Sequence, residues 1–253
     1  MAKFTDRYLA GEHRAVWAEL QSLGSVREGH PQWNDIRTVV TETMRRARNN
    51  IETIIDRLRK ANYQFVDTTD PPLHIGQPLS IPDDESLAMR DWLENLTGPL
   101  PMVLRGWLEF VGDVNLLGNH PDWPETNMFS DAMVVEFEYR ECNASTDARE
   151  YYRNELEEWR YATEHDGPEE TGAFRLNFAP DALHKVNVSG GGPYGMIVPY
   201  DQIDGMLDLD GRRIYFTDYL RECFEWGGFP GFAKMPGCDN GTITSLAKNL
   251  IPI

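Results

Sequence analysis

The glycine-rich segment 189–195 has a spacing that could hold a phosphate group. Gly190, Gly192 and Gly195 satisfy the pattern G-x-G-x-x-G, and residues 185–188 before them have the composition of a strand. In a dinucleotide-binding fold the next residues must begin a helix, because the N–H groups of the helix N-terminus bind the phosphate. Residues 196–199, Met-Ile-Val-Pro, predict a strand instead. The sequence therefore favours a hairpin loop over a nucleotide site.

Four aspartates at short intervals form the second group that could do chemistry. Part of this group, Asp-Leu-Asp-Gly at 208–211, resembles the beginning of a calcium-binding EF-hand loop. When the loop is aligned on its glycine, Met206 and Thr217 occupy the first and last ligand positions, and neither carries the required carboxylate. A polar turn is the simpler interpretation, and an acidic surface that contacts a partner is the alternative. That surface would be formed by Asp201, Asp204, Asp208 and Asp210.

The histidines give only one grouping that could serve catalysis. The six histidines show neither H-x-H nor H-x-x-x-H spacing, so no zinc site can be proposed from neighbouring residues. His120 with Asp122 and Asp131 is the only set that an enzyme could use. No G-x-S-x-G motif occurs. The sequence therefore predicts no catalytic residue, no metal and no cofactor, and an enzyme built around His120 remains an alternative.

Charge and cysteine content indicate the kind of partner and the compartment. The formal net charge is -17; residues 1–66 carry 11 Lys and Arg against 8 Asp and Glu, and residues 67–253 carry 13 against 33. Such an acidic body repels nucleic acid and anionic membranes, and it either aids solubility or attracts a basic protein. The cysteines are widely spaced, which predicts reduced thiols. The sequence has no apolar run of membrane-spanning length and no apolar leader, which predicts a cytoplasmic protein. The three cysteines are Cys142, Cys223 and Cys238.

The N-terminal part of the chain predicts two helices. Apolar residues recur at helical spacing over 6–23, before Gly24, and over 35–58. A proline-rich stretch, 68–82, follows and places the domain boundary between residues 1–66 and 67–253. The second helix carries basic residues that we expect to face solvent or to dock on the acidic body. They are Arg45, Arg46, Arg48, Arg57, Arg59 and Lys60.

Residues 100–123 organise the rest of the chain. Leu100, Leu104, Trp107, Leu108 and Val111 lie on one helical face, and a glycine stop and a short strand follow. An acidic first turn at 83–85 predicts a preceding helix. The remaining pattern predicts helices at 147–165 and 217–226. It predicts strands at 63–66, 132–139, 174–178, 185–188, 196–199 and 214–216. The tail, which contains Pro230, Pro236, Gly237 and Gly241, is predicted to be irregular and to lie on the surface. The prediction is an α+β fold: a mixed, mainly antiparallel sheet with flanking helices, preceded by a two-helix segment.

Several motifs resemble the SUKH superfamily, which includes bacterial immunity proteins and a fungal cell-wall-assembly regulator. The run Leu-Pro-x-x-Leu-Arg-x-Trp-x-x-x-Val-Gly-x-Val-x-Leu-x-Gly at 100–118 is similar to its central motif, and Ser-Gly-Gly-Gly-Pro-Tyr at 189–194 and Trp-Gly-Gly-Phe-Pro-Gly at 226–231 are similar to a bacterial subgroup. Asp113 stands where members commonly carry a second glycine.

The resemblance implies an α+β domain without catalytic residues that binds and neutralises a protein toxin, often a nuclease. Its partner would be a basic protein, and neither nucleic acid nor membrane. Alternatives from other classes are the enzyme around His120 and a regulatory or scaffold adaptor that uses the basic N-terminal helices.

Overall fold

A computed structural model describes residues 3–66, 74–121, 130–139, 147–234 and 241–253. It shows a mixed α+β fold with helices at the N-terminus and antiparallel strand pairs after them. The helices are α1 Phe4–Leu9, α2 His13–Ser22, α3 Trp33–Lys60, α4 Asp84–Thr97, α5 Met102–Phe110, α6 Ala148–Asp166, α7 Pro168–Thr171, α8 Phe216–Glu225 and α9 Gly241–Ala247. The strands are β1 Gln64–Phe65, β2 Val114–Asn115, β3 Gly118–Asn119, β4 Val134–Val135, β5 Arg175–Ala179, β6 Tyr194–Ile197, β7 Met206–Leu209 and β8 Arg212–Tyr215.

The strands form one four-stranded sheet and two short pairs. The sheet is an antiparallel meander in the order β5-β6-β7-β8, and β1 pairs with β3 while β2 pairs with β4. The β7–β8 hairpin turns at Asp210 and Gly211, which have φ of 54° and 87°. Two consecutive residues with positive φ fit the twist of a two-residue hairpin, and Asp-Gly is a preferred pair for this turn. The polar-turn interpretation of 208–211 is confirmed.

Three local predictions were wrong. The single helix expected over 6–23 is interrupted at Gly11, whose φ of 103° no right-handed helix contains. The strand expected at 185–188 is a 3₁₀ turn at His184–Val186. The tail expected to be irregular contains α9, whose Ile243 and Leu246 are buried.

The strand predicted over 132–139 is much shorter, and the acidic side chain of Glu136 beside it is buried. Only β4 is regular, and Glu136 is 3% exposed. The Glu136 N–H donates to the carbonyl of Phe178, and Asn115 donates to the Glu136 side chain at 3.3 Å. The segment thus lies between β2 and β5, with protein on both sides.

The helix predicted within residues 100–123 ends before a glycine, as expected from the sequence. Pro101 precedes α5, and Gly112 follows it with φ of 85°. A Cβ at this glycine would lie 2.5 Å from Ser80 Oγ. Ser80 Oγ accepts a hydrogen bond from the N–H of Asp113 at 2.8 Å, so the chain leaves the helix through a tightly enclosed turn.

The N-terminal helices share their buried core with the rest of the chain. Gly106 of α5 lies against α3, because a Cβ there would meet Val40 Cγ1 and Met44 Cγ, each at 3.1 Å. The basic face of α3 is also docked: Arg48 donates to the carbonyl of Val111 at 2.6 Å, and Arg57 donates to the carbonyl of Leu246 at 2.7 Å. Arg45, Arg59 and Lys60 of the same basic group are exposed, and the adaptor hypothesis stays a prediction. The proposed boundary residues 67–73 lie outside the described part.

No helix in the described ranges combines the length and the apolar character needed to cross a membrane.

Candidate functional site

The structure removes Asp204 from the acidic surface that the sequence predicts. Asp204 is 1% exposed, and its carboxylate accepts hydrogen bonds from Gln21 Nε2 at 3.0 Å, from the N–H of Gly205 at 2.9 Å and from the hydroxyl of Thr217. Burial raises the pKa of Asp204 to about 6, although these hydrogen bonds act in the opposite direction. Asp204 therefore joins the N-terminal helices to α8 and cannot contact a partner.

The other three predicted aspartates also have partners within the chain. Asp201 pairs with Arg27 and accepts from Ser25 Oγ at 2.7 Å. Asp208 pairs with Arg175 at 3.2 Å. Asp210 is exposed, and its carboxylate accepts from the N–H of Gly192 at 3.3 Å. Only Asp210 keeps the exposed position that a contact surface needs.

The structure describes only part of the His120 grouping. His120 is 4% exposed, and Asp122 lies outside the described residues. Asp131 instead pairs with Lys185, whose Nζ lies 2.7 Å from its Oδ1, and accepts from the hydroxyl of Tyr194 at 3.2 Å. Lys185 Nζ also lies 4.6 Å from the centroid of the Tyr194 ring, a cation–π contact. Asp131 thus belongs to a buried Lys–Asp–Tyr cluster.

That cluster lies at the edge of a cavity of about 530 Å³, which we call the acidic cleft. The cleft lies between the 181–183 segment, the β7–β8 turn and α8. Its described lining contains five acidic and two basic side chains as well as three aromatic ones. These are Asp131, Asp181, Asp210, Glu222 and Glu225; Arg212 and Lys234; and Tyr194, Tyr219 and Trp226.

Tyr219 lines the acidic cleft and is 1% exposed. Its hydroxyl lies close to the thiol of Cys223 and to Asp131. Burial, together with the nearby Cys223 and Asp131, raises the pKa of Tyr219 well above its usual value, so the phenol is protonated at neutral pH. Burial likewise raises the pKa of the Cys223 thiol, as for an inert core cysteine. Cys142 and Cys238 lie outside the described residues.

A second cavity, the apolar cleft, adjoins the first. Its volume is about 510 Å³, and its lining is mainly tyrosine, proline and alanine: Tyr139, Tyr151, Asn177, Ala179, Pro180, Asp181, His184 and Pro193. Asp181 lines both clefts. Its carboxylate binds His184 Nδ1 at 2.5 Å and accepts from the N–H of Leu183 at 2.6 Å. Asp181 therefore fixes the position of residues 183 and 184 where the two clefts adjoin.

Helix α6 borders the apolar cleft and carries unpaired acidic charge. Residues 147–172 contain nine Asp and Glu against three Arg. Tyr151, Glu155 and Glu158 follow one another at helical spacing, and Glu155 accepts from Asn177 Nδ2 at 2.7 Å at the cleft. Glu158 is exposed and raises the pKa of Glu155, after burial the largest influence on it. An apolar cleft thus lies between an acidic helix and an acidic cleft.

A larger concavity of about 820 Å³ has a lining of mixed charge. It lies among the start of α2, α8 and residues 247–253, and Glu12, Arg14, Arg221 and Glu225 line it. Arg221 pairs with Asp218 at 2.6 Å and donates to the carbonyl of Ile253 at 2.9 Å. We interpret this concavity as a result of how these segments pack against one another.

Sequence reasoning missed both clefts. Lys185, Tyr194 and Tyr219 are far from Asp131 in the chain, and no spacing links them. Within the described ranges, no group of three or more His, Cys, Asp or Glu side chains is arranged to hold a metal ion.

Comparisons with protein-family models, with curated proteins and with solved structures found no match. The SUKH resemblance therefore stays a prediction, and the geometry of the site carries the functional argument.

Proposed function

We propose that this chain is a non-catalytic, cytoplasmic binding protein that neutralises a basic protein toxin. The observation that carries the proposal is the joined pair of clefts, in which an apolar aromatic cavity shares Asp181 with an acidic one. Stable protein interfaces combine an apolar anchor with a polar, charged rim. The two clefts and Glu158 supply these parts on neighbouring elements. The resemblance to immunity proteins supports the same conclusion.

Charge supports a basic partner in particular. The chain carries a net charge of -17, and residues 67–253 hold 33 of the 41 acidic residues. A negative surface accelerates encounter with a basic protein and occludes a basic nuclease face. The same charge opposes binding to nucleic acid.

The test is direct binding to basic protein domains encoded by the genes that neighbour the gene for this chain. We expect association to weaken as salt rises, because the long-range attraction is screened. Glu158→Lys should weaken binding by about two- to fivefold, the range for one exposed charge pair. Glu28→Lys is the matched control, because Glu28 is also exposed but lies in the turn before α3. Failure to bind any adjacent toxin, or binding that ignores both salt and Glu158→Lys, would contradict the proposal.

A further inference from the structure

The apolar cleft offers several hydrophobic ring faces to an incoming group. Two tyrosines and two prolines make up half of its described lining: Tyr139, Tyr151, Pro180 and Pro193. The two tyrosine rings meet edge to face, with their centroids 5.2 Å apart, so they form one continuous wall. The hydroxyl of Tyr139 donates to the carbonyl of Asn177 at 2.6 Å, which holds that ring in place. A preformed apolar cavity of about 510 Å³ has room for a large side chain.

Exposed apolar side chains lie on the segment that forms one side of this cleft. Segment 180–193 supplies four of the eight lining residues, and it also carries Leu183 and Val188, which are 42% and 39% exposed. The N–H of Val188 donates to the carbonyl of Leu183 at 3.0 Å, so the two residues belong to one turn. Large apolar side chains that are exposed together beside an apolar cavity are typical of a surface that binds a protein.

The charges around the cleft, counted with their partners, leave an excess of negative charge. Asp181 lines the cleft but is bound to His184, and the nearby Arg175 pairs with an aspartate of β7 at 3.2 Å. Glu155 and Glu158 have no ion-pair partner in the described part of the chain. Burial and then Glu158 raise the pKa of Glu155, although a hydrogen bond and Arg175 act in the opposite direction. A cation brought by a partner would relieve this repulsion.

The three arginines of α6 leave these two glutamates without a counter-ion. Arg149 pairs with Glu85, and the guanidinium of Arg153 lies over the ring of Trp92 at 5.5 Å from its centroid. Arg160 is exposed and forms no ion pair with the described residues. It follows the glutamates by five and two positions, and neither spacing brings two side chains to the same face of a helix.

We propose that the apolar cleft receives an aromatic side chain of the basic partner, and that an adjacent basic residue pairs with Glu155 and Glu158; this inference rests on the proposed function. An aromatic side chain fits better than an aliphatic one, because it buries about 150 to 250 Å² and packs favourably against other aromatic rings. Anchors of this kind carry most of the binding energy of a protein interface. The basic neighbour adds specificity, because it meets complementary charge.

The test starts without any toxin. The full chain is titrated with Nα-acetyl-para-fluorophenylalanyl-arginine amide, and binding is followed by the fluorine NMR signal of the probe. We expect a saturable shift that unlabelled Nα-acetyl-phenylalanyl-arginine amide reverses and Nα-acetyl-alanyl-arginine amide does not. Replacing the arginine of the probe by uncharged citrulline should weaken binding about two- to fivefold, because an ion pair is lost. No saturable shift, or equal competition by the alanine dipeptide, would overturn the inference.

Two variants connect the probe to the lining. Tyr151→Ala removes one ring of the wall and should weaken the arginine probe about three- to tenfold, the value of one aromatic pair. Glu155→Gln keeps an acceptor for Asn177 and should weaken the arginine probe about two- to fivefold, while the citrulline probe binds as before. Tyr161→Ala and Glu164→Gln are the controls, because both residues are exposed on α6 and do not line the cleft. Melting temperatures show whether each variant is folded. An affinity for the arginine probe that neither lining variant changes would overturn the inference.

Binding to a protein partner separates this inference from the proposed function. If the arginine probe binds as predicted but no basic protein from the neighbouring genes does, the aromatic site stands and the proposed function fails. If such a protein binds and both Tyr151→Ala and Glu155→Gln leave its affinity unchanged, the function stands and the aromatic site fails. Sedimentation of the chain alone tests a further occupant: a dimer that Tyr151→Ala dissociates would assign the cleft to a second copy and overturn the inference.

Discussion

The carboxylate of Asp113 accepts a hydrogen bond from the N–H of Phe137 at 2.8 Å, and the same oxygen accepts from the N–H of Glu138 at 3.1 Å. Asp113 is 2% exposed. Its side chain joins the end of α5 to the segment after β4. Asp113 thus has a structural role.

Asp113→Gly should therefore destabilise the chain. Two buried N–H groups would lose their acceptor, and we expect a loss of about 2 to 4 kcal/mol in the free energy of unfolding. Asp113→Asn keeps an acceptor oxygen and should cost less. Urea unfolding followed by circular dichroism measures both, and equal stability of Asp113→Gly and wild type would refute this role.

Gly112→Ala should be more harmful than an alanine at an unobstructed glycine with similar backbone. Both Gly112 and Gly29 have positive φ, 85° and 95°, but a Cβ at Gly29 meets nothing within 4 Å. The left-handed conformation alone costs about 1 to 2 kcal/mol. The clash with Ser80 should bring the cost at Gly112 to about 3 kcal/mol or more. Melting temperatures of the two variants provide the comparison, and similar losses would show that Ser80 moves freely.

Asp204 should make stability depend on pH. Its pKa is about 6 in the folded chain against an ordinary value of 3.8, so the folded state binds the proton more tightly. The stability contributed by this protonation is complete below the unfolded pKa and is lost as pH rises through about 6.

The matched variant is Asp204→Asn, which cannot titrate. Between pH 7 and pH 5, the unfolding free energy of wild type should rise by about 1 kcal/mol relative to that of the variant. Chemical denaturation at the two pH values measures the difference. A difference that stays constant, or that falls towards pH 5, would show that the folded pKa is not raised.

Residues 67–253 should not fold without residues 1–66. Removing α3 would expose the face of α5 around Gly106 that now packs on Val40 and Met44. Each such apolar side chain contributes about 1.5 to 3 kcal/mol when buried, and a domain has only about 5 to 15 kcal/mol of net stability. A cooperative thermal transition in the isolated fragment 67–253 would contradict this prediction and support the boundary placed from the sequence.

Helices with strong local signals were predictable from the sequence. The apolar period of α3, the acidic first turn of α4 and the glycine after α5 act within a few residues, and the structure contains all three. The strands were harder, because β1 to β4 are two residues long and depend on distant partners. At 185–188 a local signal was overlooked: Asp181 accepts from the N–H of Leu183 and of His184 and begins a 3₁₀ turn.

The site was less predictable than the fold. Asp204 looked exposed because aspartate usually is, but its donors Gln21 and Thr217 come from remote helices. The sequence pattern indicated Tyr219 only as one of the apolar residues of α8. Only the folded chain shows its hydroxyl beside Asp131. Burial and hydrogen-bond pairing over such distances leave no periodic trace in the sequence.

Asp181 lines both clefts, and we expect this shared residue to couple them thermodynamically. A group that enters one cleft and shifts Asp181 changes the free energy of filling the other, and the effect is reciprocal. The losses caused by substitutions in the two clefts should therefore not sum, and the size of the deviation measures how stiffly Asp181 is held.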